Sequence, residues 1–550
     1  MVFRAENGVS NASSWLHGAA LYQIYPLSFL DGNGDGWGDL DGVLAGLDHV
    51  ASLGVDGVWL CPFYPSPLKD FGYDVADHRA VDPRMGELAT LDRVVRRAHA
   101  LGLKVLVDLV CGHTSDEHPW FAASRRARQG DFADWYVWAD AKPDGTPPNN
   151  WLSVFGGAAW TWEPRRRQYY LHHFLPGQPA LNLHHEPVLQ AVLDTASFWL
   201  ERGVDGFRID AVDFFAHDPL LRSNPAAVWR GAEPPVKPFA LQRHLHDMLH
   251  PSIRVILERL RATVDRFPGA VLLGELSSQP GAAQRIASCT APGRLHAAYS
   301  LSLAKQPFSA KGFAQALAGT PNPQAICWSL SNHDVERAVS RWLPAGADPE
   351  RFNALLAALF CALPGTVCLY QGEELALPQA ELPRERLRDP FGINYWPEFT
   401  GRDGARTPLP WRADAANAGF STAGETWLPV PESHRPLAID RQERRPGGPL
   451  EIWRAALRLR RNHAALSVGT VDAVEDKGDV LAFERTADGE SLLAVFNMAD
   501  RPAEYSLKRK PRLTAYDLPR APGAPAAEVT PDGRTLVLPP LGAFLGLKRV

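Results

Sequence analysis

Arg208 and Asp210 stand two residues apart near the end of an apolar run that spans residues 203–215. If this run forms a β-strand, its side chains alternate between two faces, so the guanidinium and the carboxylate share one face. A neighbouring guanidinium favours the ionised form of a carboxylate, and an ionised carboxylate at a strand end can serve as a nucleophile. By itself such a pair is more often a structural ion pair, so its interpretation depends on the rest of the chain.

Polar side chains also follow three other apolar runs, at the point where each run ends. These side chains are Asp108 with His113, Glu275, and His333 with Asp334. Two carboxyl groups about 5 to 5.5 Å apart can cleave a glycosidic bond with retention of configuration, one as nucleophile and the other as acid and then base. The acid needs a raised pKa, which apolar surroundings provide, and we expect Arg208 to lower the pKa of Asp210. The sequence therefore predicts a glycosidase site.

Eight short apolar runs, alternating with helical patterns, must position these side chains. The predicted strands are residues 19–29, 57–60, 104–110, 204–210, 270–275, 295–300, 324–330 and 366–370. The clearest helical patterns are residues 42–53, 88–100, 188–201 and 450–462. Strands that alternate with helices indicate a parallel sheet, and eight such units favour a closed (β/α)8 TIM barrel of the α/β class. In such barrels the reacting groups lie at the carboxyl ends of the strands.

Two segments interrupt the alternation and one follows it. Residues 111–185 are rich in Trp, Pro, Gly and Asn, which predicts a subdomain inserted after strand 3. The catalytic barrel is then assigned to residues 1–110 and 186–465, with a long loop excursion at 372–450. Short alternating apolar segments in residues 466–550 predict a C-terminal antiparallel β domain.

The composition excludes several classes of partner. The chain has 57 basic and 62 acidic residues, a net charge of -5, and no long block of like charge, so neither nucleic acid nor a membrane surface is expected as a partner. No apolar stretch reaches 18 residues, no apolar leader begins the chain, and the six cysteines show no C-x-x-C spacing. We expect a cytoplasmic protein with reduced thiols, and the oligomeric state stays open.

Four motifs occur in order at the predicted strand ends: DLVCGHTS (108–115), GFRIDAVDF (206–214), LLGEL (272–276) and SLSNHD (329–334). With them the chain resembles the α-amylase superfamily of glycoside hydrolases, in particular its α-glucosidase and oligo-1,6-glucosidase branch. The resemblance implies that Asp210 is the nucleophile, that Glu275 is the acid/base, and that Asp334 binds and distorts the sugar.

Further roles are implied by the same resemblance. His113, Arg208 and His333 fall on positions that hold the sugar beside the scissile bond. Asp70 and Tyr73, in the stretch DFGYD, match residues that grip a nonreducing glucose. Arg402, in RDGARTP, should pair with Asp70 and close the pocket floor, which implies attack at chain ends. The remaining predicted pocket residues are the aromatic side chains Phe155 and Phe174.

A glycine-rich loop after strand 1 has oxygen donors at alternate positions. They are the side chains of Asp31, Asn33, Asp35 and Asp39 and the backbone carbonyl of Trp37. This spacing is similar to an EF-hand loop and to the single metal loop of the branch, so we expect a structural Ca²⁺ or Mg²⁺ there. An Asx-bonded turn is the alternative. No organic cofactor is expected, because no G-x-G-x-x-G follows a strand.

Ala211 follows the predicted nucleophile, where branch members that prefer α-1,6 bonds tend to carry Val. We therefore expect a retaining, exo-acting α-glucosidase on short α-1,4-glucosides such as maltose, with transglucosylation to hydroxyl acceptors. One alternative is an oligo-1,6-glucosidase, or a sucrose-forming or trehalose-forming mutase, with the same site. An alternative of another class is a noncatalytic sugar-binding or scaffold protein.

Overall fold

The structure is a computed structural model that describes residues 14–229, 231, 233–277, 281–320, 322–507 and 513–548. Its strands are β1 (Ala20–Ile24), β2 (Gly57–Leu60), β3 (Lys104–Leu109), β4 (Trp138–Ala139), β5 (Trp160–Glu163), β6 (Gln168–Leu171), β7 (Gly206–Ile209), β8 (Val271–Leu276), β9 (Ala297–Ser300), β10 (Ile326–Trp328), β11 (Thr366–Tyr370), β12 (Thr470–Lys477), β13 (Val480–Ala487), β14 (Glu490–Asn497), β15 (Ala503–Ser506), β16 (Leu513–Ala515), β17 (Glu528–Val529), β18 (Thr535–Leu538) and β19 (Ala543–Lys548).

Helices connect the strands of the barrel. They are α1 (Leu40–Ser52), α2 (Leu88–Ala100), α3 (Pro119–Ser124), α4 (Glu186–Glu201), α5 (Ile253–Val264), α6 (Ala282–Cys289), α7 (Ala310–Ala318), α8 (Ala338–Trp342), α9 (Pro349–Ala362), α10 (Pro390–Tyr395), α11 (Ile439–Gln442), α12 (Pro449–Asn462) and α13 (Ala464–Ser467).

Eight parallel strands close into a barrel in the order β1-β11-β10-β9-β8-β7-β3-β2. The predicted TIM barrel is therefore confirmed. Its strands are mainly apolar on both faces rather than alternating, because helices cover the outside and side chains fill the inside. Every residue of β11, for example, is buried. The helices place one apolar stripe against the strands, as α2 does with Leu91, Val94, Val95 and Ala98.

All eight predicted strands are present, but several are shorter than predicted. The first, predicted as 19–29, ends at Ile24 and is followed by a 3-10 turn that begins at Pro26. Proline has no N–H to donate to a neighbouring strand, so the ladder stops there. The seventh, predicted as 324–330, is the three-residue strand β10. Apolar periodicity continues beyond the hydrogen-bonded ladder because the flanking loops are also buried.

Smaller sheets lie outside the barrel. The sheet β4-β6-β5 falls within the segment between β3 and α4, where the insertion was predicted. At the C-terminus, a five-stranded sheet (β12-β13-β14-β19-β16) and a three-stranded sheet (β15-β18-β17) have antiparallel pairing. The predicted C-terminal β domain is thus confirmed, while the exact domain boundaries remain predictions. Among the described residues no helix combines the length and apolar character needed to cross a membrane.

Candidate active site

A single guanidinium joins three carboxylates at the carboxyl ends of three adjacent strands. Arg208 on β7 donates from Nη1 to Asp108 Oδ1 at 2.6 Å and to Asp210 Oδ1 at 2.8 Å. Its Nη2 donates to Glu275 Oε2 at 2.6 Å. Asp108 and Glu275 stand on β3 and β8, the two strands that pair with β7, so parallel pairing brings all of these groups to one rim.

Arg208 is held rigidly as well as being fully buried. Its guanidinium lies 4.8 Å from the ring centre of Trp59, and Trp59 Nε1 donates to Asp108 Oδ2 at 2.8 Å. The hydroxyl of Tyr73 donates to the same Asp108 oxygen at 3.3 Å. Asp108 therefore orients Arg208 from behind, while Asp210 and Glu275 face the cavity described below.

The protonation of this cluster differs from the sequence-based expectation. Burial raises the pKa of Asp210 well above its ordinary value, and the charges of Glu275 and Asp108 act in the same direction. Arg208 lowers the pKa of Asp210 but does not outweigh these effects. The prediction of a lowered pKa for Asp210 is therefore wrong. Burial likewise raises the pKa of Asp108 to about 6, although Arg208 acts to lower it.

Asp334, which follows β10, has the opposite electrostatic environment. Arg402 Nη1 and Arg406 Nη2 donate to its Oδ1 at 3.0 and 2.8 Å, and His333 Nε2 lies 3.3 Å from Oδ2. Although burial acts to raise the pKa of Asp334, these neighbours hold it well below the ordinary range. Burial lowers the pKa of His333 to about 3, so its ring is neutral at physiological pH.

The predicted pairing of Arg402 with Asp70 is present. Arg402 Nη2 donates to Asp70 Oδ1 at 2.8 Å, across 332 residues of sequence. Gln178 Nε2, from the inserted segment, donates to the other oxygen of Asp70 at 3.0 Å. These contacts close one end of the cavity with polar groups that can bind sugar hydroxyls.

Aromatic rings line the space between these polar groups. Tyr73 stacks on His333 with ring centres 5.2 Å apart and planes 3° from parallel. Phe174 lies 5.2 Å from His113, whose Nε2 hydrogen-bonds the carbonyl of Tyr73 at 2.9 Å. Phe155 lies 6.3 Å from Phe174. Apolar faces beside charged groups suit a sugar ring, which has both kinds of surface.

A cavity of about 1460 Å³ opens on the carboxyl ends of the strands. Ten of the twelve predicted catalytic and substrate residues line it: Asp70, Tyr73, His113, Phe155, Phe174, Asp210, Ala211, Glu275, Asp334 and Arg402. The other two, Arg208 and His333, have fully buried side chains and contact the carboxylates from behind. They are thus placed to orient acidic groups rather than to touch a sugar directly.

Ala211 has an unusual backbone conformation. Its φ and ψ are 44° and 48°, in the left-handed region that side chains other than glycine seldom adopt. Its N–H donates to Glu275 Oε2 at 3.2 Å. The strained turn therefore aims a backbone donor at the candidate acid/base, and it places a small side chain in the cavity wall.

The predicted metal loop folds as a network of Asx turns. Asp31 Oδ1 accepts from the backbone N–H groups of Asn33 and Gly34, and Asp39 Oδ1 caps α1 by accepting from Gly42. Asp35 accepts likewise from the N–H of Trp37 at 2.8 Å. All candidate ligands are oxygens, which suit a hard divalent cation. Within the described part of the chain, however, no group of three or more His, Cys, Asp or Glu side chains is arranged to hold a metal, so the cation remains a prediction.

The family follows from comparison with known proteins. Residues 23–469, more than half of the chain, match the family model "Alpha amylase, catalytic domain". The chain belongs to the alpha-amylase family. This alpha-amylase family enzyme is 48% identical to a probable alpha-glucosidase of Rhizobium meliloti (strain 1021), over 90% of this chain and 91% of the relative. It is 33% identical to an oligo-1,6-glucosidase of Parageobacillus thermoglucosidasius, over 90% of this chain and 92% of that one.

Solved structures of the family superpose over nearly the whole enzyme. The alpha-glucosyl transfer enzyme XgtA is 47% identical, with a TM-score of 0.92 over 98% of this chain and 100% of the other. The trehalulose synthase MutB is 28% identical, with a TM-score of 0.86 over 97% and 100%. These similarities cover barrel, insertion and C-terminal sheets together, so the predicted family resemblance is confirmed.

Arg406, Asp389 and Lys237 are among the site residues that were not predicted. Arg406 stands in the same RDGARTP motif as Arg402, so that motif already contained the signal for it. Asp389 and Lys237 lie in segments without periodicity and carried no signal. Asp389 binds Arg402, whereas the Lys237 ammonium lies 3.9 and 3.5 Å from the ring centres of Phe391 and Phe399 at the cavity wall.

Proposed function

We propose that this enzyme is a retaining, exo-acting α-glucosidase on short α-1,4-glucosides such as maltose, with glucosyl transfer to hydroxyl acceptors. The observation that carries the proposal is the pairing of Asp210 and Glu275 on one guanidinium, beside a cavity whose end is closed by Arg402 and Asp70. A pair of carboxyls on one site is what glycoside cleavage requires.

In the first step, an Asp210 oxygen attacks the anomeric carbon and the bond from that carbon to the glycosidic oxygen breaks. Glu275 gives its proton to the departing oxygen, which leaves a β-glucosyl ester on Asp210. In the second step, Glu275 takes a proton from water or from an acceptor hydroxyl, whose oxygen attacks the same carbon and releases Asp210. Two inversions give net retention of the α configuration.

Asp210 must be ionised and Glu275 protonated before the first step. Burial raises the pKa of Asp210, so its ionised form depends on the Arg208 guanidinium, which donates to Asp210 Oδ1 at 2.8 Å.

Chain-end attack is supported by the closed floor. The Asp70–Arg402–Asp334 cluster spans the end of the cavity, with both Arg402 bonds between 2.8 and 3.0 Å. A polymer chain has no route past these groups, whereas the hydroxyls of a terminal glucose can replace water there. The preference for α-1,4 bonds rests on the small side chain of Ala211 in the cavity wall.

Transfer to an acceptor is favoured by one comparison, since the solved structure at 47% identity is described as an alpha-glucosyl transfer enzyme. The wall formed by Phe391, Trp396 and Phe399 supplies apolar surface on which an acceptor can lie. Transfer and hydrolysis share the glucosyl-Asp210 intermediate, so the site serves both.

The proposal is tested by following products over time from maltose, isomaltose and sucrose, with and without an alcohol acceptor. We expect glucose from maltose, a new glucoside when the acceptor is present, and loss of both with Asp210→Asn. Faster cleavage of isomaltose than of maltose would move the enzyme to the oligo-1,6-glucosidase alternative. No consumption of any sugar would refute the glucosidase proposal.

We also propose that the loop of Asp31, Asn33, Asp35, Trp37 and Asp39 binds one Ca²⁺ or Mg²⁺ that stabilises the fold. The support is its set of oxygen donors at alternate positions and its place outside the cavity lining. Elemental analysis should find about one such ion per chain, and EDTA should lower the unfolding temperature. An ion-free protein unaffected by EDTA contradicts the proposal. A cytoplasmic location is proposed likewise, supported by six cysteines that are all free and buried.

A further inference from the structure

All three guanidinium nitrogens of Arg402 donate hydrogen bonds to carboxylates. Its Nη1 and Nη2 reach Asp334 and Asp70 on the cavity side. On the opposite side, Nε donates to Asp389 Oδ2 at 3.1 Å and Nη2 donates to Asp389 Oδ1 at 2.9 Å, which is a bidentate pair. The backbone N–H of Arg402 also donates to Asp389 Oδ2 at 2.7 Å. Asp389 is therefore the group that sets the plane in which Arg402 lies.

Asp389 does not reach the cavity. Its side chain is fully buried, and the outer side of Arg402 separates it from Asp70 and Asp334. Although burial acts to raise it, Arg402 lowers the pKa of Asp389 to about 2, so the pair is ionic at any physiological pH. The backbone N–H of Asp389 donates to Asp403 Oδ2 at 2.8 Å, which anchors the main chain at this point.

Asp389 is also the N-cap of helix α10. Its Oδ1 accepts from the N–H of Phe391 at 3.1 Å. The ring of Phe391 lies 4.8 Å from that of Phe155, and both rings line the cavity. One carboxylate thus contacts both the arginine at the cavity floor and the helix that forms part of the outer wall.

We propose that Asp389 is a positioning residue that holds Arg402 against Asp70 and Asp334 and so determines how tightly the site binds a terminal glucose. The inference rests on the proposed function and deepens it. Without the Asp389 charge, Arg402 would be drawn toward its two remaining carboxylates and would leave the plane that gives each of them one hydrogen bond. The affected step is glucose recognition, and the aglycone should matter little.

The substitution Asp389→Asn separates this role from helix capping. Asparagine caps helices about as well as aspartate, so α10 should keep its first turn, but a neutral amide cannot replace a bidentate carboxylate. Asp348 provides a matched control, because it precedes Pro349 and caps α9 by accepting from the N–H of Glu350 at 2.9 Å, remote from the cavity lining.

We expect Asp389→Asn to lower kcat/KM by about 10- to 100-fold, the loss that follows when a charge-assisted hydrogen bond is removed from a buried partner. The factor should be the same for maltose and for p-nitrophenyl α-glucoside, which share the glucose but not the leaving group. Asp348→Asn should change neither value by more than about twofold. Arg402→Lys keeps the charge but cannot bind bidentately, so it should reproduce the loss.

A double-mutant cycle and a binding measurement complete the test. In an Arg402→Met background, Asp389→Asn should cause no further loss of kcat/KM and should restore thermal stability, because it removes a buried charge left without a partner. Glucose affinity by titration calorimetry should fall about 10-fold in Asp389→Asn, which decides the inference even if no glucoside is cleaved.

Four results would overturn it. They are a kcat/KM for Asp389→Asn within twofold of that for Asp348→Asn, losses that differ more than about threefold between the two substrates, additivity with Arg402→Met, or unchanged glucose affinity. Substrate-dependent losses would point to the α10 wall instead of Arg402. If the unmodified enzyme cleaves neither substrate, the proposed function fails, while the calorimetric result still stands for or against Asp389.

Discussion

The substitution Asp108→Asn should extend the activity of the enzyme toward lower pH. Asp210 must be ionised to attack, and its pKa is raised by burial and by the charges of Glu275 and Asp108. As the pH falls through that raised pKa, Asp210 takes up a proton and kcat/KM declines. Removal of the Asp108 charge lowers the pKa of Asp210 in two ways. The repulsion disappears, and Arg208 is left with one carboxylate fewer to share.

The magnitude follows from the geometry. Asp108 Oδ1 and Asp210 Oδ1 accept from the same nitrogen, at 2.6 and 2.8 Å, so they lie at most about 5.4 Å apart. At an effective dielectric constant of about 20, two charges at about 5 Å repel by roughly 3 kcal/mol, or about 2 pKa units. Because Asp108 titrates with a pKa of about 6, part of this repulsion is lost in acid. We therefore expect the acidic limb of the pH profile of kcat/KM to move to lower pH by about 1 to 2 pH units.

The assay is kcat/KM for p-nitrophenyl α-glucoside as a function of pH, with circular dichroism to show that each variant is folded. Asp74→Asn is the matched control, because the pKa of Asp74 is also raised by burial to about 6, but its carboxylate accepts from Ser66 and not from Arg208. The control should leave the limb in place. An acidic limb that stays unmoved in Asp108→Asn, or moves to higher pH, would refute the electrostatic account of this cluster.

Three further results are expected. Ala211→Val should lower the free energy of unfolding in urea by about 1 to 2 kcal/mol, because a β-branched residue must adopt φ 44°. The same substitution should lower the ratio of maltose cleavage to isomaltose cleavage. An unchanged ratio would contradict the proposed preference for α-1,4 bonds. Arg460→Leu should destabilise the folded protein by at least about 3 kcal/mol, because Arg460 is buried and donates to five backbone carbonyls. Arg461 is exposed, so Arg461→Leu should leave the stability unchanged. Equal stabilities of the two variants would disprove this prediction. Burial raises the pKa of Glu373 from 4.5 to about 7, so its contribution to stability is present below pH 4.5 and is lost as the pH rises through 7. The free energy of unfolding of Glu373→Gln, relative to that of the native protein, should therefore increase as the pH rises through this range. Unfolding measured from pH 4.5 to 8 should show an increase on the order of 3 kcal/mol.

Local patterns were sufficient for the barrel. Strands such as β3 and β11 were predicted because a strand buried on both faces is a short apolar run, and such runs are unmistakable when Gly and Pro bound them. The strand ends were less accurate. At Ile24 the ladder stops where Pro26 lacks a donor, although the apolar residues continue to Phe29.

Segments without periodicity were beyond such reasoning. The excursion between β11 and α12 carries Asp389, Arg402 and the aromatic wall, and its contacts reach Asp70 across more than three hundred residues. Turn-rich segments have no repeating face, so nothing local indicates which side chain will lie near which. Motif resemblance supplied Arg402, but Asp389 lies outside the motif and was found only from its bonds.

The sequence by itself determined the family, the eight strands, and which carboxylates stand at their ends, because these depend on residue type, order and short-range periodicity. Only the tertiary structure decided how the charges balance. Three carboxylates on adjacent strands share one arginine, Arg208. Burial outweighs the effect of this arginine on the pKa of Asp210, so the shift is opposite to the one predicted from the Arg-x-Asp spacing. Electrostatic energies in a protein depend on burial and on every charge within a few ångströms, and those distances exist only after the chain has folded.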